Sequence, residues 1–193
     1  MLIHKPKKLL KKLRLMAKNK KYDLHFEDEC HFQQHGSRCR MWFAPEDKDP
    51  LLRHAPTKKS MSLFGVVNAN TGQMTTMITK VFNAKTFLKF LKKVLKTRRR
   101  GKKLIMVLDN ARYHHAIILK SWLLANRDKI RLMCLPPYSP DLNSIERVWK
   151  ITRRKCTHNR YFSALEELEV VIRKQMNRWS TPNETLHKLC CII

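Results

Sequence analysis

The chain has 193 residues, 43% of them hydrophobic, with 41 Lys and Arg against 15 Asp and Glu and a formal charge of +26. That length fits one domain with a proper core. The charge calls for a polyanionic partner, and nucleic acid fits better than an anionic membrane because the basic residues run along the whole chain instead of one amphipathic helix.

Residues 1–21 carry nine Lys or Arg and no acid, with Leu9, Leu10, Leu13 and Met16 at helical spacing, so a basic helix or arm leading into the domain is expected. No stretch there is apolar enough for a signal peptide, and no run approaches the roughly 18 apolar residues of a membrane span, so a soluble protein is expected. From Leu24 to Phe32 the period changes to two. Leu24, Phe26, Asp28, Cys30 and Phe32 share one side of a strand, and His25, Glu27, Glu29 and His31 the other, where the acids are expected to be solvated. The segment Arg38–Pro45 suits a further strand before a charged loop. Ser62–Asn68 and Met74–Val81 read as a strand pair joined by Asn68-Ala-Asn-Thr-Gly72, which has hairpin-turn chemistry.

Asn83 is placed to cap a helix whose apolar face is Phe87, Leu88, Phe90, Leu91, Val94 and Leu95 and whose other face is lysine. Leu104–Leu108 is an uninterrupted apolar run, as in a strand covered on both faces. A helix over about 115–126 follows, then a strand over 130–135 stopped by Pro136-Pro137. After the Ser139-Pro140-Asp141 turn comes a helix carrying Ile145, Val148, Trp149 and Thr152. A last helix opens with Ser163-Ala-Leu-Glu166, read as a capping box, and runs to about Trp179. This order predicts an α/β domain with a mixed sheet. Six cysteines without a C-x-x-C pair or zinc-like spacing read as reduced thiols in an intracellular protein.

Three acids stand out in a chain so poor in them. Asp28 falls in an apolar row, where a carboxylate needs a partner. Asp109 follows the buried strand, where α/β sheets commonly place ligand-binding residues. Glu146 opens the helix after the proline-rich turn. Singly, each has a bland reading: a structural Asp28 held by amides or Arg, an Asp109 that caps a turn, and a Glu146 paired with Lys150 four residues on. Together they form a hard oxygen cluster that suits two Mg²⁺ or Mn²⁺ ions and phosphodiester chemistry.

Asp109-Asn-Ala-Arg-Tyr-His-His115, then Leu135-Pro-Pro-Tyr-Ser-Pro-Asp-Leu-Asn-Ser-Ile-Glu-Arg-Val-Trp-Lys150, strongly resembles the catalytic domain of DDE transposases of the IS630/Tc1/mariner superfamily. Phe26-Glu-Asp-Glu-Cys-His-Phe32 matches the first acidic motif of that family, and the resemblance runs from about Tyr22 to Trp179. It implies an RNase H-like fold, a mixed five-stranded sheet flanked by helices, with Asp28, Asp109 and Glu146 as the catalytic and metal-binding triad. The spacing of 36 residues between Asp109 and Glu146 is close to the family's. Asn110, His114 and Asn143 would neighbour the site, although His114 also reads as a plain polar cap. Glu27 and Glu29 are set aside as substitutes for Asp28, because alternation points them to the other face.

The implied division is a basic arm over 1–21, a catalytic domain over 22–180 and an unassigned tail over 181–193. Asn143-Ser144 stands where the family has Asn-Pro, which a helix start tolerates. The family's helix-turn-helix region has no counterpart here, so a split or truncated catalytic half, or reliance on a separate end-recognition polypeptide, is expected. The implied partners are double-stranded DNA, as transposon ends and target, and a second copy in a homodimer, in an intracellular setting without membrane. Lys85, Lys89, Lys92, Lys93, Lys96, Arg98, Arg99, Arg100, Arg147, Lys150, Arg153 and Arg154 are the candidate phosphate contacts. Two other readings stay open: an inactive or repurposed transposase-derived DNA-binding protein, and another RNase H-like DNA nuclease.

Overall fold

Alternation along the strands sorts the apolar side chains onto two faces of one sheet, and each face carries its own helices. A computed structural model of the chain describes residues 4–40, 42, 44, 46, 51, 53–137 and 139–191. Its elements are α1 (His4–Lys18), β1 (Tyr22–Gln33), β2 (Ser60–Asn68), β3 (Met74–Thr79), α2 (Ala84–Lys96) and β4 (Lys103–Leu108), followed by α3 (Ile117–Ala125), β5 (Ile130–Cys134), α4 (Ile145–Cys156), α5 (Leu165–Arg178) and α6 (Glu184–Cys190). The strands lie in the order β3-β2-β1-β4-β5. β1, β2 and β3 pair antiparallel, whereas β1, β4 and β5 run parallel. This is the mixed sheet expected from the element order, with the five strands that the family resemblance implied.

On one face Leu24, Phe26, Cys30, Leu63, Val67, Ile105 and Val107 pack with Ile145, Val148 and Trp149 of α4, Leu168 and Ile172 of α5, and Leu186 of α6. On the other, Phe64, Val66, Leu104, Met106 and Leu108 meet Phe87, Phe90, Leu91 and Val94 of α2 and Leu119 of α3. The interior strand β4 is buried on both sides, which is why its sequence reads as an unbroken apolar run. Burying each of these large side chains is worth about 1.5–3 kcal/mol, and together they fix which face every strand residue takes.

Local signals behave as their chemistry requires. The Asn68 side chain accepts from the amides of Asn70 and Thr71, and Gly72 closes the β2–β3 turn at φ +68. Asn83 caps α2 by accepting from Lys85 and Thr86 amides, while the Thr86 hydroxyl lies against the Asn83 backbone in return. All six cysteines are free.

Four expectations change. Glu27, expected in solvent, is completely buried, because the second face of β1 is covered as fully as the first. Among the described residues of 38–45 there is no strand; the chain makes only an isolated bridge from Ser37 to His158, and positions 41, 43 and 45 lie outside the described residues. α5 starts at Leu165 with Ala164 at its cap, and Ser163 bonds Glu167 through both hydroxyl and amide instead of forming a capping box with Glu166. α5 is also not the last helix. Residues 181–193 hold α6, whose Leu186 and Cys190 are buried, and α1 likewise docks on β1 with Leu13 fully buried.

Candidate active site

β1 carries Asp28 on the α4 face and Glu27 and Glu29 on the α2–α3 face. Asp109 follows β4 at its carboxyl end, and Glu146 lies in the first turn of α4. Asp28, Asp109 and Glu146 thereby line one cavity of about 400 Å³, together with Asn110, Asn143, Leu135, Pro136, Pro137 and Ser139. Residues from all three acidic motifs thus meet at one end of the sheet.

The acids differ in setting. Asp28 accepts a hydrogen bond from the Trp149 indole at 3.1 Å. Burial, then the Glu146 and Glu29 charges, nonetheless push its pKa up to about 8, against the pull of the Glu29 amide and the indole. The Asp109 side chain is half exposed; its Oδ1 accepts from the Ala111 amide at 2.9 Å and faces His114 Nδ1 at 3.3 Å. The His114 contact is the main cause holding its carboxyl below the ordinary range, with burial opposing it and the Ala111 amide adding to it. Glu146 is exposed and makes no ion pair with Lys150. Among the described residues no three His, Cys, Asp or Glu side chains yet stand close enough to enclose a metal ion. At Asp28, burial and the neighbouring carboxylate charges both favour the protonated form.

Around the triad, the Asn143 side-chain amide donates to the Glu27 carbonyl at 2.8 Å and so ties the turn before α4 to β1. Asn143 precedes the helix, and the Glu146 amide donates to its carbonyl at 3.1 Å. Asn110 Oδ1 accepts from His115 Nε2 at 2.6 Å. Glu27 leaves both carboxyl oxygens without a partner among the described residues; burial, then Glu29, Asp28 and Asp109, raises its pKa far above the ordinary range. Its surroundings therefore favour the protonated form.

The candidate phosphate contacts fall into two groups. Arg147, Lys150 and Arg153 line a second cavity of about 500 Å³ that shares Asn143 and Glu146 with the first, and exposed Arg154 follows on α4. Arg153 is held in place: its guanidinium donates to Cys30 Sγ at 3.2 Å and lies over the Phe32 ring. Lys85, Lys89, Lys92, Lys93 and Lys96 are exposed on α2, which covers the opposite face of the sheet. Arg98, Arg99 and Arg100 follow α2, and Arg99 holds the buried Asp23 at the start of β1 through two hydrogen bonds. Asp23 lies five residues before Asp28, about 16 Å along the strand.

A family profile described as DDE superfamily endonuclease matches residues 23–169. The chain belongs to the DDE superfamily endonucleases. Within that family it is 30% identical over 114 residues to the insertion element IS630 uncharacterized 39 kDa protein of Shigella sonnei, covering 59% of this chain and 33% of that protein. Its fold is similar to that of the Mos1 transposase paired-end complex with left transposon end, with a TM-score of 0.70 and 16% identity over 95% of this chain and 55% of that one. The Mos1 transposase catalytic domain with Raltegravir and Mn gives a TM-score of 0.60 and 14% identity over 94% of this chain and 84% of that one. The RNase H-like fold and the IS630/Tc1/mariner resemblance read from the motifs are both borne out. The chain spans about a third of the IS630 protein and about half of the Mos1 chain in the paired-end complex.

Two residues beside Asp28 escaped the sequence reading. Trp149 was legible only as core, although its place three residues after Glu146 puts both on one helix face. Gly65 gave no signal at all. It pairs directly with Asp28 across β1 and β2, and a Cβ there would lie 2.6 Å from the indole Cζ2. Only glycine lets the indole lie against β2 and reach Asp28.

Proposed function

We propose that the chain is the catalytic part of a metal-dependent DNA transposase, cutting DNA at transposon ends and joining it to a target through Asp28, Asp109 and Glu146. The observation that carries this is the meeting of three motifs, far apart in sequence, on one cavity of a chain with a charge of +26. The donor set fits the implied ions: three carboxylates lining one cavity are hard oxygen donors that suit Mg²⁺ or Mn²⁺. The Mos1 domain with Mn supports the same choice. Bound there, two such ions supply the charge that activates a water or terminal hydroxyl and steadies the leaving oxygen of an in-line displacement.

The residues of the chain do the rest. Trp149 fixes Asp28 by one oxygen and leaves the other toward the cavity. Asn143 anchors the turn that starts α4 and so sets where Glu146 stands. Arg147, Lys150 and Arg153 run along α4 from beside Glu146 to its last turn, placed to neutralise phosphates of the strand entering the site. Double-stranded DNA is the substrate, recognised at its ends by a unit outside these 193 residues, and the working form is a homodimer inside the cell.

Cleavage and strand joining on end-bearing DNA with Mn²⁺ or Mg²⁺ tests this reading. The parent should act only with metal, and Asp109→Ala should reduce turnover to background. Turnover that is equal in parent and variant would sink it, and binding without any turnover would favour a repurposed DNA-binding relative.

A further inference from the structure

Glu29 follows Asp28 in sequence but looks into the opposite side of the sheet. There it meets His114, whose side chain is 1% exposed and whose ring is packed 4.5 Å from Phe87 and 4.3 Å from Tyr113, centroid to centroid. An apolar ring would fill that space equally well, so the imidazole is retained for its nitrogens. Nδ1 faces only acceptors, the Asp109 carbonyl at 3.4 Å and Asp109 Oδ1 at 3.3 Å, and therefore donates. Nε2 faces Glu29 Oε1 at 3.7 Å, and neither of those atoms has a hydrogen-bond partner among the described residues.

We propose that Glu29 and His114 are positioning residues for the reaction, with Glu29 fixing the imidazole and the imidazole fixing Asp109 Oδ1, so that Oδ2 is presented to the cavity. Asp109 needs such a brace. It stands past the end of β4 with its side chain 54% exposed, and among the described residues the only other donor to it is the Ala111 amide of the same turn. Outer partners of this kind turn a mobile carboxylate into an oriented one and raise its effectiveness as a ligand. Glu29 is thus neither a substitute for Asp28 nor a solvated surface acid; it serves the second carboxylate of the site from behind the sheet.

The inference rests on the reading of this cavity as a divalent-metal site, and the test separates the two. Mn²⁺ affinity of the full chain is measured without DNA, by electron paramagnetic resonance of free Mn²⁺, beside the melting temperature of each variant. His114→Phe keeps a ring between Phe87 and Tyr113 and should weaken Mn²⁺ binding by about 10–100-fold. Glu29→Ala should weaken it by about tenfold, and Glu29→Gln, which keeps a hydrogen-bonding side chain facing Nε2, should restore most of that loss. The double variant with His114→Phe and Glu29→Ala should bind no more weakly than His114→Phe alone, because Glu29 acts through the ring. Parent-like affinity in folded His114→Phe overturns the proposal. So do equal losses in Glu29→Ala and Glu29→Gln, the mark of a bare charge effect, and so do losses that multiply in the double variant. Should His114→Phe fail to fold, the two Glu29 variants decide alone. A parent that binds no Mn²⁺ removes the metal reading itself.

Discussion

Glu27 and Asp28 are neighbours in sequence with opposite surroundings, yet both hold their protons more tightly folded than unfolded. In each case burial is the first cause and nearby carboxylates the second. A carboxyl whose folded pKa is raised stabilises the fold fully below its unfolded value and loses that contribution as pH climbs. In chelator, stability should therefore fall from about pH 4, by about 1.4 kcal/mol per pH unit for each group, until Asp28 ionises near pH 8. Glu27→Gln should remove one group from that slope, so its melting temperature should match the parent's near pH 4 and exceed it at pH 8. Thermal melts in EDTA across that range check this; a flat parent profile would contradict it. Asp28 was legible because the strand period put it in an apolar row. Glu27 was misplaced for a physical reason: alternation separates two faces but does not say that both are covered, and that follows only from α2 and α3 packing on the far side.

Among the elements, those ruled by neighbours in sequence were readable, namely the Asn83 cap, the turn at Asn68–Gly72, the five strands and α2 to α5. Those ruled by partners far along the chain were not. α6 looked like a polar tail with two cysteines, yet it braces the start of α4: Arg147 donates to the Leu189 carbonyl at 2.8 Å and Cys190 lies against the Ser144 carbonyl. α1 looked like an arm because its lysines dominate, yet one fully buried leucine, Leu13, fixes it to the core. Gly65 belongs at this scale too, since it sets how closely α4 approaches β2. Gly65→Ala should push the indole off the sheet, costing about 1–3 kcal/mol by overpacking. It should also break the hydrogen bond to Asp28. Trp149→Phe removes the same bond by taking three heavy atoms out of the core, so the two variants break it through opposite changes of volume. Both should lower metal-dependent cleavage and the denaturation midpoint. A Gly65→Ala protein with parental stability and activity would show that α4 does not need this contact.

At the scale of the whole molecule, the charge was legible but its division of labour was not. The sequence pooled twelve cations as phosphate contacts, whereas the fold sets Arg147, Lys150 and Arg153 beside the acidic cavity and Arg99 on buried Asp23 at the opposite end of β1. Binding to a DNA duplex by the full chain should weaken steeply with salt, with a log–log slope of about −0.9 for each neutralised phosphate. Lys150→Ala and Arg153→Ala, each removing one contact, should each reduce the slope by about 0.9 and weaken binding to all sequences alike. Arg99→Ala should leave the slope near the parent's and act on stability instead, because it strands a buried carboxylate. The loss should reach up to about 3 kcal/mol, less than for a fully enclosed pair because the guanidinium is 41% exposed and screened by water. Fluorescence anisotropy between 50 and 200 mM salt, beside urea denaturation, reads both quantities. Salt-independent binding would contradict phosphate neutralisation altogether. An Arg99→Ala protein of unchanged stability but shallower slope would return Arg99 to the DNA-contacting set and extend the bound duplex to both ends of the sheet.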